Sequence, residues 1–403
     1  MGGGRVQPVR AGSKELIREI NASLVLAELR QGLVSRTELA KRTGLSLPTV
    51  SEIVADLLNT GVVEEREVGS SGGGRRPVLL GLKADAGYVI GIKVTETRVI
   101  AVLTDLGAQI VERATETVSG GDVGTVVRAV AKVVRRLGRS KQGKSRQVYG
   151  VGVGLAGVID RASGVVRHAT YADWHDVDLA GLLAKRIGLP VVVDNDVNTL
   201  VANEQWFGAG RGVSDVAVVS IGRGVGLGMV LDGRLYRGAG GGAGEFGHTK
   251  VVADGPLCAC GGRGCLETVI GEPAILKRTK TQDIEQAADR ARNGDREIAE
   301  VFDEVGRVLG TAVGNLVNLL NPKLIVLAGE GTRESDLFLP GFDDALRNAV
   351  FDGLQRDLEI VVDDWDDEAW AQGAAGLFLA ELFQPNLRPD EADRPSLTAR
   401  SAS

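Results

Sequence analysis

All three cysteines of this 403-residue chain fall within eight positions, Cys258-Ala-Cys260-Gly-Gly-Arg-Gly-Cys265, and one of its three histidines, His248, stands ten residues upstream. Three thiolates and one imidazole make a closed tetrahedral donor set for zinc, the pattern of a structural site rather than a catalytic one. The glycines between Cys260 and Cys265 let the backbone turn tightly enough for the sulfurs to converge on one ion. Two other accounts compete. Three small buried cysteines beside an unrelated histidine would need every cysteine to fall into C-x-C-x4-C by chance. A disulfide is the weaker rival, because neighbouring C-x-C sulfurs bridge poorly and the third would be left over. The spacing therefore points to structural Zn2+ on His248, Cys258, Cys260 and Cys265.

The N-terminal part carries a second pattern. Residues 1–12 read as a flexible arm. The spacing predicts a helix from Lys14 to Arg30, with Leu16, Ile20, Leu24, Leu26 and Leu29 roughly on one side. Ser35-Arg-Thr-Glu38 is a capping box that starts a short helix ending at Gly44. Ser46 caps a third helix with Pro48 in its first turn, where a missing N–H does no harm, and Gly61 ends it. Two short helices around Thr-Gly-Leu-Ser read as helix-turn-helix. Val62–Val68 and Val78–Leu80, around a glycine-rich tip with Arg75 and Arg76, read as a wing. In such a module the third helix enters the major groove by its N-terminal face. That face offers Ser46, Leu47, Pro48, Thr49 and Ser51 near base edges, while Arg75 and Arg76 would reach phosphate or the minor groove. A plain three-helix interaction module is the bland alternative; the conjunction with a wing favours DNA.

Composition fits this division. The chain is 43% apolar and 25% charged, an ordinary globular balance with length for two or three domains. No run of eighteen apolar residues is present, so no transmembrane helix is expected, and Met-Gly-Gly-Gly-Arg lacks the apolar stretch of a signal peptide. Free cysteines in a metal pattern suit the cytoplasm. Net charge is −6 overall, but residues 1–80 hold 11 Lys+Arg against 9 Asp+Glu, so +2, leaving −8 for the remainder. The asymmetry weakly points to the N-terminal part as the DNA-contacting one.

His248 together with C-x-C-G-x-x-G-C-x-E, ending at Glu267, resembles the signature of the ROK family of repressors, open reading frames and sugar kinases, and the Gly-Gly-Arg-Arg-Pro wing resembles the wings of its repressors. The resemblance covers about residues 14–382. It implies an α/β chain: an N-terminal winged helix-turn-helix, then a two-lobed actin-like ATPase fold with a structural zinc site. The expected divisions are an arm (1–13), a DNA-binding domain (14–82), a first lobe (84–200), a second lobe (201–383) whose last helix returns to the first, and a disordered tail (384–403). It also implies that Glu245, His248 and Glu267 meet sugar hydroxyls, joined by Asn195 and Asp196 after the strand Val191–Val193. Carboxylates suit that task because they accept hydrogen bonds from hydroxyls. Asp196 matches the base of the kinases, although an Asx turn capping the next helix is an equally physical use of the pair. Thr170, in Thr170-Tyr-Ala-Asp-Trp174, replaces an asparagine that usually contacts sugar.

The kinase motifs are altered. Where the family's kinases carry D-x-G-G-T, this chain has Lys93-Val-Thr95-Glu96-Thr97, and their second phosphate loop G-T-G-x-G becomes Gly222-Arg223-Gly224-Val-Gly226. A phosphate cradle needs free backbone N–H groups and no negative side chain, so Glu96 opposes ATP use. Lys93 is expected to be an ordinary exposed strand end. Glu330, after the strand Leu324–Ala328, makes the adenosine-contacting turn less like a nucleotide cradle. The expected function is a sugar-responsive transcriptional regulator, a repressor of carbohydrate genes and not an enzyme, acting as a homodimer or homotetramer on palindromic operator DNA with no membrane association. An ATP-dependent sugar kinase carrying a DNA-binding head is the alternative, and a scaffold with a vestigial pocket is a third.

Overall fold

The computed structural model describes residues 13–67, 78–139, 147–169, 172–385 and 396–397. Arg75, Arg76, Thr170, most of the expected arm and much of the tail lie outside the described residues.

The N-terminal head is built from α1 (Lys14–Gln31), β1 (Val34–Ser35), α2 (Arg36–Thr43), α3 (Leu47–Asn59), β2 (Val63–Glu67) and β3 (Val78–Leu82). Its caps follow the sequence. Ser13, Ser35 and Ser46 each accept from the N–H three residues on, and Gly44 closes α2 in the left-handed region at φ 71°. Only half of the expected capping box forms, because the Glu38 carboxylate accepts from Arg42 Nε at 2.9 Å. The ribbon gains an unforeseen third member, with β1 pairing antiparallel to β3 on the side away from β2.

The first lobe runs through β4 (Tyr88–Val94), β5 (Arg98–Asp105), β6 (Ile110–Thr117), α4 (Val123–Gly138), β7 (Val148–Leu155), β8 (Val158–Asp160), β9 (Val165–Ala169), β10 (Trp174–Asp178), α5 (Leu179–Ile187), β11 (Val191–Asn195) and α6 (Asp196–Phe207). Between β7 and β8 the chain bends at Gly157, whose φ is +141°. The second lobe holds β12 (Val216–Ile221), β13 (Val225–Leu231), β14 (Arg234–Tyr236), α7 (Glu267–Ile270), α8 (Glu272–Thr279), α9 (Ile284–Arg292), α10 (Arg296–Leu320), β15 (Leu324–Ala328), α11 (Ser335–Ala349), β16 (Glu359–Asp363) and α12 (Asp367–Leu382). Helix α11 is not apparent from the sequence, since Pro340 interrupts its ladder. The two main sheets have one topology. Their orders, β11-β7-β4-β5-β6 and β14-β13-β12-β15-β16, each place a three-strand antiparallel meander beside two parallel strands.

The lobes exchange helices. Helix α6 follows a strand of the first lobe but buries Val197, Leu200 and Val201 against Val216, Val218, Val230 and Val326 of the second. Helix α12 follows a strand of the second and lies on the first-lobe sheet. The approach is close: a Cβ on Gly91 would stand 1.9 Å from Ala371 O, and one on Gly152 would stand 1.9 Å from Ala374 O. The two helices also meet, with Gly373 against Thr199 O. Farther along, α12 buries Phe378, Leu379 and Leu382 in a cluster shared with Leu26, Leu29, Val54 and Leu57 of the head. Leu397 returns to that cluster, its N–H donating to Leu382 O at 3.0 Å.

A Gly152→Ala substitution, which puts a methyl into a backbone carbonyl, is expected to cost about 3 kcal/mol in chemical denaturation. Gly138→Ala, at a helix end with open space around it, is expected to be neutral within about 0.5 kcal/mol.

Candidate functional site

The site lies where β11 runs into α6, facing the β12–β13 turn and the cysteine loop of the second lobe. Asn195 is the N-cap of α6. Its Oδ1 accepts from the N–H of Val197 at 2.8 Å and of Asn198 at 3.4 Å, and its Nδ2 donates to Gly157 O at 3.0 Å. The Asx cap thus belongs to Asn195, and the helix begins at Asp196. Asp196 shares in the cap, its Oδ1 accepting from the Val197 N–H at 3.0 Å. Burial raises its pKa above the usual carboxylate range, opposed by Lys93 and reinforced by Glu330.

Three further acids and bases complete this end. Burial likewise raises Glu245, with His248 opposing and Asp196 and Glu267 adding to the rise. Glu245 therefore feels the charges of Asp196, Glu267 and His248. Glu267 Oε2 accepts from Val225 N at 3.2 Å, which fixes the carboxylate over the β12–β13 turn. The His248 ring divides its duties: Nδ1 stands 3.5 Å from Cys258 Sγ, and Nε2 faces the Glu245 carboxylate at 3.8 Å.

The sulfurs converge as the spacing implied. The donor atoms of His248, Cys258, Cys260 and Cys265 all lie within 4.8 Å of one another, with Cys260 and Cys265 Sγ 3.6 Å apart. Three thiol sulfurs and an imidazole nitrogen brought this close could hold a metal ion. Gly264, at φ 68°, brings the loop back under Val252, where a Cβ would strike a carbonyl. Burial pushes the Cys258 thiol up to about 11, whereas a hydrogen bond from the Gly262 backbone lowers Cys260. Lys250 Nζ, 2.6 Å from Cys265 Sγ, supplies positive charge beside the sulfurs.

The phosphate-loop positions are filled by internal pairs. Lys93 is not an exposed strand end. It is 9% exposed, its Nζ donates to Asp367 Oδ1 at 2.8 Å, and it lies 4.1 Å from the centroid of the Trp370 ring. Across the cleft, Arg223 donates to Glu96 at 3.2 Å and so joins the two lobes. A second cross-lobe pair lies deeper and was not foreseen. Asp194, 1% exposed, accepts from Arg237 Nε at 2.8 Å and from Asn198 Nδ2, also at 2.8 Å. Arg161 stands 3.6 Å from the same carboxylate and also pairs with Glu381 of α12. The alternation of strand residues gives no hint of the arginine partners, since Arg161 and Arg237 come from other segments.

At the head, Ser46, Leu47 and Pro48 are exposed at the start of α3, while Thr49 and Ser51 are half-buried. Ser46 Oγ and Thr49 Oγ1 lie 2.8 Å apart, so these two hydroxyls are partly engaged with each other. The head touches the far end of α6: the Arg30 guanidinium lies 4.3 Å from the Trp206 ring centroid, and Arg211 donates to Gln31 O at 3.3 Å.

Residues 89–381 match the ROK family, and residues 24–67 match the IclR helix-turn-helix domain. The chain belongs to the ROK family. Among curated ROK proteins it is 30% identical to the xylose repressor of Caldicellulosiruptor bescii, over 92% of this chain and 98% of that one. It is 27% identical to the DNA-binding transcriptional dual regulator NagC of Escherichia coli K12, over 93% and 95%. The crystal structure of a ROK family transcriptional regulator, a homolog of the E. coli MLC protein, superposes with a TM-score of 0.82 at 25% identity, over 91% and 97% of the two chains. A ROK glucokinase from Streptomyces griseus, solved with glucose and AMPPNP, superposes with a TM-score of 0.63 at 28% identity over 72% of this chain and 99% of its own. The match to the regulator thus includes the head, and the match to the kinase leaves a quarter of the chain unmatched. No helix among the described residues is long and apolar enough to cross a membrane.

Two expectations test the site. Native mass spectrometry is expected to find one zinc per wild-type chain and none in Cys258→Ser, which is also expected to melt lower; an unchanged metal content would refute the donor set. Asp196→Asn is expected to melt higher than wild type at pH 7 and alike near pH 3. A carboxyl whose folded pKa is raised loses stability as pH rises through that value, and the amide removes this loss.

Proposed function

We propose that this ROK protein is a sugar-responsive transcriptional repressor of carbohydrate-utilisation genes. Residues 14–82 bind operator DNA, with Ser46, Leu47, Pro48, Thr49 and Ser51 toward the bases. Arg75 and Arg76, outside the described residues, are assigned to the backbone or the minor groove. The lobes 84–200 and 201–383 receive a sugar between them, on Asn195, Asp196, Glu245, His248 and Glu267. His248, Cys258, Cys260 and Cys265 hold a structural zinc that fixes the loop ending in Glu267. The names of the curated relatives support the regulator reading, and unbridged cysteines in a metal pattern suit a cytoplasmic protein.

The observation that carries the reading is the course of α6. Its first residue, Asp196, faces the cleft, and its last turn, at Trp206, supports α1 of the head. Twelve helical residues span about 18 Å as one rod. A sugar drawn against Asp196 shifts the helix that the head rests on, provided it binds the closed arrangement more tightly than the open one. In a homodimer or homotetramer, that shift changes the separation of two recognition helices and hence their match to a palindromic site. Phosphoryl transfer is not part of the reading, because Lys93 and Arg223 are already paired where the kinases manage phosphates.

Retention of fragmented genomic DNA on the purified protein, followed by elution with a sugar panel, tests the whole scheme. A discrete palindromic site released by one sugar is expected. Trp206→Ala is expected to retain that site within about threefold of wild-type affinity while losing most of the release. Retention of no DNA, together with ATP-dependent phosphorylation of a sugar, would replace the regulator with the kinase.

A further inference from the structure

Around Asp196 and the β12–β13 turn stand charges that the sugar reading leaves unused. Lys93 and Glu330 face Asp196. Glu330 also lies over the turn between β12 and β13: a Cβ on Gly222 would stand 2.7 Å from its carboxyl carbon. Glu272 follows, close enough to Glu330 for the two to repel. Cations at this end are already paired: Lys93 and Arg98 share Asp367, and Arg223 holds Glu96. The backbone donors are partly committed as well. Gly222 N–H donates to Gly224 O at 3.0 Å, and Val225 N–H donates to Glu267. A turn that could cradle phosphate thus has carboxylates on its open side.

We propose that the effector is an unphosphorylated, uncharged sugar, and that Glu330, Glu272 and Glu96 are the residues that exclude its phosphorylated form. The proposal rests on the sugar site described above. The hydroxyl that Asp196 would meet is the one that carries the phosphoryl group in a terminal sugar phosphate. Esterified, that oxygen would bring a charge of about −1.5 to −2 against Asp196 and Glu330. Lys93 or Arg223 could offset it only by leaving a carboxylate, Asp367 to Arg98 alone or Glu96 without its arginine. Juxtaposed like charges of this kind discriminate strongly between ligands that are otherwise alike. A neutral hydroxyl meets no such penalty, because each of these carboxylates can accept its hydrogen bond.

Glu96 acts through Arg223. By holding the guanidinium at the lobe junction it keeps an exposed cation of the turn from serving a phosphate. Glu330 acts directly, as the charge over the turn. Both side chains are largely exposed, so neutral replacements leave the core intact.

The test is isothermal titration calorimetry of the full-length protein with glucose, xylose and N-acetylglucosamine, each beside its phosphorylated counterpart (glucose 6-phosphate, xylose 5-phosphate and N-acetylglucosamine 6-phosphate). At least one neutral sugar is expected to bind, with its phosphorylated form at least about a hundredfold weaker. In the double variant Glu96→Gln, Glu330→Gln that ratio is expected to fall at least about tenfold. A phosphorylated sugar that binds wild type as tightly as its neutral form overturns the proposal alone. An unchanged ratio in the double variant overturns the assignment to these residues. Failure of every sugar, in both forms, sinks the sugar site itself and the proposal with it.

Discussion

Helix α12 lies so close to β4 and β7 that only glycine fits beneath it, and the rest of the molecule is arranged around that contact. With Gly91 and Gly152 against the carbonyls of Ala371 and Ala374, the helix cannot slide or rotate without collision. Its opposite flank holds α6 through Gly373, and its last turns hold the head through Phe378, Leu379 and Leu382. One helix therefore references three bodies to one another. The exchange with α6 matters for the same reason. Since each lobe contributes a helix to the core of the other, relative motion of the lobes must be carried by these two helices. The site sits at the start of one of them, and the head rests on the ends of both.

Electrostatics reinforce this framework at the cleft. Arg223–Glu96 near the surface and Arg237–Asp194 in the interior both run between the lobes. The exposed pair contributes little by itself, on the order of 0–1 kcal/mol. The buried one is different in kind, because loss of Arg237 would leave the buried Asp194 carboxylate with only the more distant Arg161. Asp194 precedes the two residues assigned to sugar, so the backbone that presents them is pinned from behind by an arginine of the opposite lobe. Positions that manage nucleotide phosphates in the kinases are here charged and mutually satisfied.

Much of this was legible in the sequence, for identifiable reasons. Local rules sufficed for the head, where Ser35, Gly44, Ser46 and Pro48 each specify a backbone conformation within a few residues. The cysteine cluster was legible because its donors lie close in the chain. The fold of the lobes and the sugar residues were read through resemblance, on motifs that this sequence retains. What escaped were features without a local period. Lys93 read as an exposed strand end because its partner, Asp367, is 274 residues away. Arg223 and Glu96 could each be judged hostile or favourable to phosphate, but their pairing across 127 residues was invisible. Helix α11 was hidden by Pro340, which the surrounding packing of Phe338 and Phe342 overrides.

The placement of α12 also sets the order in which the molecule can be completed during synthesis. The strand that carries Lys93 leaves the ribosome long before the helix that covers it. At ordinary elongation rates, 274 residues take on the order of 15–55 s. Throughout that interval the glycine-lined back of the first sheet has no cover, and the head lacks the helical turns against which it docks. The nascent first lobe is thus an open, apolar sheet face awaiting its C-terminal partner, a natural client for a chaperone. Its late closure makes possession of a nearly complete chain a condition for a properly seated DNA-binding head.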